Sequence, residues 1–180
     1  MSSSKARGVF LDRDGTINHA IIRNGRPFPP ESATELRLLP GVPEGLMALK
    51  AAGFALVVVT NQPDVRTGRQ TREAVDAIHA RLRGLLPIDD VRVCFHIDED
   101  ECACRKPKPG MLLAGAADLG LDLGTSYMVG DRWRDVDAGR AAGCRTIFVR
   151  NSYNERQPAK YDLAVDSLAE ASEAILEGRV

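Results

Sequence analysis

Short apolar runs alternate with polar, helix-patterned stretches along the chain. Gly8-Val9-Phe10-Leu11, Leu56-Val57-Val58-Val59 and Ser126-Tyr127-Met128-Val129 are continuous rather than alternating, as expected of short strands buried on both faces. Strands are predicted near 8–12, 55–60, 91–95, 126–129, 145–149 and 162–165. One intervening helix is predicted from about Pro43 to Ala52, with Leu46 and Leu49 inward, proline near its first turn and a stop at Gly53. A second, from Thr71 to Leu86, carries Val75, Ile78 and Leu82 on one stripe. Others are predicted over Pro109 to Leu119, over the small residues Val136–Ala142, and after the capping box Ser167-Leu168-Ala169-Glu170. Ile21 to Phe28 reads as a hairpin around Asn24-Gly25. Strand–helix alternation predicts an α/β fold, a doubly wound and mainly parallel sheet with helices on both faces.

Length and composition add bounds. At 180 residues the chain fits one domain, 1–180, with residues 1–6 expected to be disordered. A hydrophobic content of 44% beside 27% charged residues is ordinary for a globular protein. The net charge of −1 gives no field favouring nucleic acid or an anionic membrane. No apolar run is long enough for a membrane span or a signal-peptide core, so the expected location is the cytoplasm. In that compartment the four cysteines are thiols or metal ligands rather than disulfides. Between Asp12 and Thr60 there is room only for the hairpin and one helix, so no separate cap domain is expected. The expected protein is a monomer whose partner is a small metabolite.

Asp12-Arg13-Asp14-Gly15-Thr16 leaves the end of the first strand, where open α/β sheets bind ligands. Taken alone, the two acids read equally well as caps of a strand-to-turn transition or as a nucleophile and Mg2+ ligand. The other strand ends add to them. Thr60-Asn61-Gln62 ends one strand, and Gly130-Asp131-Arg132-Trp133-Arg134-Asp135 follows another. Between them lies the basic run Arg105-Lys106-Pro107-Lys108-Pro109. Acid, hydroxyl, lysine and second acid, in that order on successive strand ends, are what phosphoryl transfer through a phospho-aspartate requires.

This set of motifs resembles the haloacid dehalogenase superfamily of phosphatases and spans nearly the whole chain. The resemblance makes Asp12 the nucleophile and Asp14 the general acid and base, the acid that dehalogenase relatives lack. Thr60 and Lys106 then stabilise the transferring phosphoryl group. Mg2+ is expected on Asp12, the backbone carbonyl of Asp14, and Asp131. Asp135 reads either as an acid at a helix N-terminus or as a group orienting a basic side chain or a metal-bound water. A phosphoacceptor signalling module also uses an acceptor Asp, Mg2+, a hydroxyl and a lysine, but has no acid two residues after the acceptor.

Cys94, His96, Cys102 and Cys104 lie within eleven residues and suit tetrahedral Zn2+ in a closed structural site. A disulfide between Cys102 and Cys104 would be strained. Cys144 reads as a core thiol, and His19 and His79 as solvent-facing or loop residues. The cluster followed by Arg105-Lys106-Pro107 resembles the zinc loop of the D-glycero-D-manno-heptose 1,7-bisphosphate phosphatases and of the related histidinol-phosphate phosphatases. That likeness implies substrate contacts at Asn61, Arg105 and Arg132. It implies hydrolysis of the 7-phosphate of heptose bisphosphate, with histidinol phosphate the alternative substrate. Gln62-Pro63-Asp64 and the hairpin depart from the usual heptose pattern. Arg23, Arg26, Arg66 and Arg69 on the rim read either as solvated or as contacts to a second phosphate.

Overall fold

The computed structural model describes residues 6–180. Six strands form one parallel sheet: β1 (Gly8–Leu11), β4 (Ala55–Asn61), β5 (Asp90–Cys94), β6 (Tyr127–Gly130), β7 (Arg145–Val149) and β8 (Leu163–Val165). Their spatial order is β5-β4-β1-β6-β7-β8, so the chain winds outward from β1 in both directions. β2 (Ile21–Arg23) and β3 (Arg26–Phe28) form the predicted hairpin. Asn24 and Gly25 both have positive φ, 52° and 72°, the geometry a two-residue primed turn demands.

Side chains alternate across the sheet and build two cores. Val9, Leu11, Leu56 and Val58 pack with Leu46 and Leu49 of α1 (Val42–Ala51), Ile78 and Leu82 of α2 (Arg72–Leu85), and Leu168 and Ile175 of α5 (Leu168–Leu176). Phe10, Val57 and Val59 face the other way, onto Leu112 and Ala116 of α3 (Gly110–Leu119) and Ala138 of α4 (Trp133–Ala142). Burial on both faces is why these strands read as unbroken apolar runs.

The predicted elements form, with small shifts at their ends. The helix expected over 136–142 starts three residues earlier, at Trp133, because Asp135 accepts from the Arg132 backbone N–H at 2.9 Å and caps it. Only half of the predicted capping box closes. Ser167 Oγ accepts from Glu170 N at 3.1 Å, but Glu170 accepts from Asp166 N–H rather than from Ser167. Disorder was expected through residue 6. Ala6 is instead bridged to Leu121, and residues 1–5 lie outside the described residues. No helix among the described residues is long and apolar enough to cross a membrane.

Candidate active site

The carboxyl ends of β1, β4 and β6 and the loop after β5 converge on one cleft of about 290 Å3. Asp12, Asp14, Thr60, Lys106 and Asp135 line it. Lys106 is buried, and its Nζ donates to Asp12 Oδ1 at 2.7 Å and to Asp135 Oδ1 at 2.6 Å. Burial alone would lower the lysine's pKa, but Asp12 and Asp135 together hold it above the ordinary range. Asp135 thus serves both readings: it caps α4 and holds a basic side chain. Asn61, expected among the substrate contacts, commits both ends of its amide to the Lys106 backbone. Its Nδ2 donates to the carbonyl oxygen and its Oδ1 accepts from the N–H, each at 3.1 Å.

Carboxylate oxygens of Asp12, Asp131 and Asp135 lie within 4.8 Å of one another, all buried. Burial and the two neighbouring acids raise Asp131 well above the usual carboxylate range, and burial with Asp135 lifts Asp12 to about 6. One lysine cannot neutralise three acids. Asp131 Oδ2 accepts from the Tyr153 hydroxyl at 2.6 Å, while its buried Oδ1 has no hydrogen-bond partner. An oxygen-rich, negatively charged set with one orphaned oxygen fits a divalent cation such as Mg2+. Asp14 contributes no side-chain oxygen to this cluster. Gly15 has φ of 89°, and a Cβ there would collide with both the Asp131 carboxylate and the Tyr153 hydroxyl.

Asp14 is turned onto its neighbour. Arg13 Nε and Nη2 donate to its two oxygens at 3.1 and 2.8 Å, Asn18 Nδ2 donates at 3.0 Å, and Gln62 Nε2 at 3.0 Å. Although burial opposes it, Arg13 and these donors hold the Asp14 carboxyl below its ordinary value. Gln62 Nε2 also donates to Thr60 Oγ1 at 2.8 Å, tying the two side chains together. His79 corrects the sequence reading. It is 7% exposed rather than solvent-facing, and its Nε2 lies 2.8 Å from Arg13 Nη1. Burial first, and the Arg13 charge second, press its pKa down to about 4. Cys144 is buried as expected.

The four predicted zinc ligands converge beside the cleft. Cys94, Cys102 and Cys104 sulfurs are 3.0 to 3.6 Å apart, and His96 Nδ1 is 3.5 Å from Cys94 and 3.3 Å from Cys104. Tetrahedral Zn2+ with bonds of about 2.3 Å to sulfur and about 2.0 Å to nitrogen needs edges only slightly longer than these. The three thiols and imidazole therefore fit structural zinc. The same loop holds Arg105, whose Nε donates to Asp98 at 2.8 Å and whose Nη1 donates to the His96 carbonyl. Arg105, expected to touch substrate, is absent from the cleft lining. Arg134 lines it instead, forked onto Asp98 at 3.0 Å. Arg132, also expected to touch substrate, lines the cleft in a bidentate pair with Glu155.

Residues 151–156 form a strap that the sequence reading missed. Asn151 donates to the Asp131 carbonyl, Tyr153 to its carboxylate, Asn154 N to the Gly25 carbonyl at 2.7 Å, and Glu155 pairs with Arg132. The strap ties the hairpin to the acidic cluster. Lacking hydrophobic periodicity, it gives no pattern from which these contacts could be read.

The comparisons with known proteins agree with this geometry. The HAD-hydrolase-like family model matches residues 103–171. The D-glycero-β-D-manno-heptose-1,7-bisphosphate 7-phosphatase of Pseudomonas aeruginosa is 33% identical, covering 94% of this chain and 97% of its own. The enzyme of that name from Escherichia coli K12 is 34% identical over 93% and 92%. The crystal structure of the D,D-heptose 1,7-bisphosphate phosphatase from B. bronchiseptica, complexed with magnesium and phosphate, is 30% identical. It superposes with a TM-score of 0.81, covering 96% of this chain and 99% of that one. With the acid, hydroxyl, lysine and acidic-cluster motifs in one cleft, the chain belongs to the HAD-type phosphoric monoester hydrolases, in the family of the heptose-1,7-bisphosphate 7-phosphatases.

Proposed function

We propose that this protein removes the 7-phosphate from D-glycero-β-D-manno-heptose 1,7-bisphosphate, with Asp12 as nucleophile. The observation that carries the proposal is Asp12 held by Lys106 at 2.7 Å beside Asp131 and Asp135, with Asp14 two residues on. An Asp12 oxygen attacks phosphorus in line with the leaving oxygen, the P–O bond to the sugar breaks, and Asp14 delivers a proton to the departing alkoxide. Asp14 then takes a proton from the water that attacks the phospho-aspartate and frees Asp12. The Arg13-bound, ionised Asp14 suits this second half, and the first requires it protonated and turned into the cleft. Thr60 and Lys106 donate to the phosphoryl oxygens. Asp12, Asp131 and the Asp14 carbonyl would hold Mg2+, which supplies charge neutralisation at the phosphoryl group.

A bisphosphate is favoured by charge. Arg26, Arg69, Arg132 and Arg134 line the cleft, and among the described residues Arg26 has no ion-pair partner. Histidinol phosphate would bring a cationic amine among them. In the acidic run Asp98-Glu99-Asp100-Glu101, the alternative attraction for that amine, Asp98 is already engaged by Arg105 and Arg134 and Asp100 by Arg66. The expected result is a kcat/KM for the β-heptose bisphosphate at least about tenfold above that for histidinol phosphate, a gap of roughly 1.4 kcal/mol in transition-state binding. A tenfold preference for histidinol phosphate contradicts the substrate assignment and leaves the reaction class standing.

Zinc removal provides a separate check. Purified protein is expected to carry one Zn2+ per chain. Cys102→Ser or Cys104→Ser is expected to loosen the loop bearing Lys106 and lower activity by roughly 10–100-fold without changing a catalytic atom. Elemental analysis finding no zinc, with all four thiols freely titrating, contradicts this.

A further inference from the structure

His79 has no place in the phosphoryl-transfer motifs, yet it is buried against the middle residue of the first one. Its partner Arg13 has no exposed surface. The guanidinium is used along two edges. Its Nε–Nη2 edge forks onto Asp14, and Nη1 meets His79 Nε2. A guanidinium only donates, so His79 Nε2 must be the acceptor and the ring must be neutral, with its proton on Nδ1. His79 therefore adds no charge of its own. It fixes the plane and the rotation of the one cation that grips Asp14.

We propose that His79 is a positioning residue which, by anchoring Arg13, controls how Asp14 turns between the guanidinium and the leaving group. The geometry gives the reason. Asp14 is reached by four donors, and two of them belong to Arg13. Removing the acceptor at residue 79 orphans a buried Nη1 donor, and the fork is then free to rotate away from its present alignment. Asn18 and Gln62 would still hold Asp14, but off its set position. A misplaced proton donor slows expulsion of a poor leaving group far more than of a good one. An alkoxide leaving from a sugar needs the proton; an aryl oxide leaves without it.

The proposal rests on reading Asp14 as the acid and base, so Asp14→Asn is measured alongside. The assay compares kcat/KM for heptose bisphosphate and for p-nitrophenyl phosphate in the zinc- and magnesium-loaded enzyme. For His79→Leu we expect a loss of about tenfold or more on the sugar phosphate and less than about threefold on the aryl phosphate. His79→Gln, whose amide oxygen can accept from Arg13, is expected to restore the sugar activity to within about threefold of wild type. Equal losses on both substrates, or no loss on either, would overturn the proposal. Should His79→Leu fail to fold, Arg13→Lys carries the same test, since it keeps the charge and loses the fork. It must then show the same bias against the sugar phosphate, and its absence counts against the proposal. If Asp14→Asn itself shows no such bias, the acid–base reading falls. If Asp14→Asn shows it and His79→Leu does not, only the role of His79 falls.

Discussion

Replacing Asp12 by Asn is expected to lower kcat by roughly 10^4-fold or more while leaving the protein folded. The amide keeps the side-chain volume and an oxygen to accept from Lys106 Nζ, but it cannot form an acyl phosphate. Stability should move the other way. Burial, and then Asp135, lift the Asp12 carboxyl to about 6 from an ordinary 3.8, with Lys106 pulling against them. Because the folded value is the higher one, the stability tied to this group is fully present below 3.8 and is lost as pH rises through about 6. Magnesium-free wild-type protein is therefore expected to lose more stability between pH 4 and pH 7 than magnesium-free Asp12→Asn does. Urea unfolding at several pH values, beside initial rates, measures both effects. Turnover within tenfold of wild type in the folded variant would contradict the assignment of the nucleophile.

Lys106→Met is expected to produce the second large effect, on activity and stability together. Methionine replaces the buried stem but removes the charge shared by Asp12 and Asp135 at 2.7 and 2.6 Å. Breaking a buried ion pair from one side costs about 3–5 kcal/mol, because the remaining charges lose their partner. Three clustered acids would then face one another without a cation, so added Mg2+ should raise Tm more in the variant than in wild type. The lost donor to the phosphoryl oxygens is expected to lower kcat by about 10^2–10^3-fold. Calorimetry with and without Mg2+, together with steady-state rates, checks each part. A variant with wild-type kcat would remove Lys106 from the reaction.

Much of the architecture was legible because the strands are buried on both faces. Unbroken apolar runs such as Leu56–Val59 follow directly from helices covering both sides of a parallel sheet. The zinc ligands were legible because they lie close together in sequence, and loop closure brings them together with little else required. Contacts across the sheet were harder to see. His79 follows Val75 by four residues and precedes Leu82 by three, so it lies on the inward stripe of α2, although no ligand partner stands near it in sequence. Arg105 and Arg134 both bond Asp98, and of the two only Arg134, in the first turn of α4, lines the cleft, which sequence spacing does not reveal. The strap residues Tyr153 and Glu155 act through single side chains on an irregular segment, where no periodicity exists to be read.

The most direct test of the central claim is chemical trapping of the phosphorylated enzyme. Wild-type or Asp14→Asn protein is mixed with Mg2+ and heptose 1,7-bisphosphate, quenched in acid within one turnover, and reduced with borohydride. An acyl phosphate on Asp12 is thereby converted to homoserine at residue 12, which peptide mass spectrometry locates. The expected result is that mark at residue 12 alone, absent from Asp12→Asn. Release of phosphate at full rate with residue 12 unmarked, or the mark on any other acid, would contradict it.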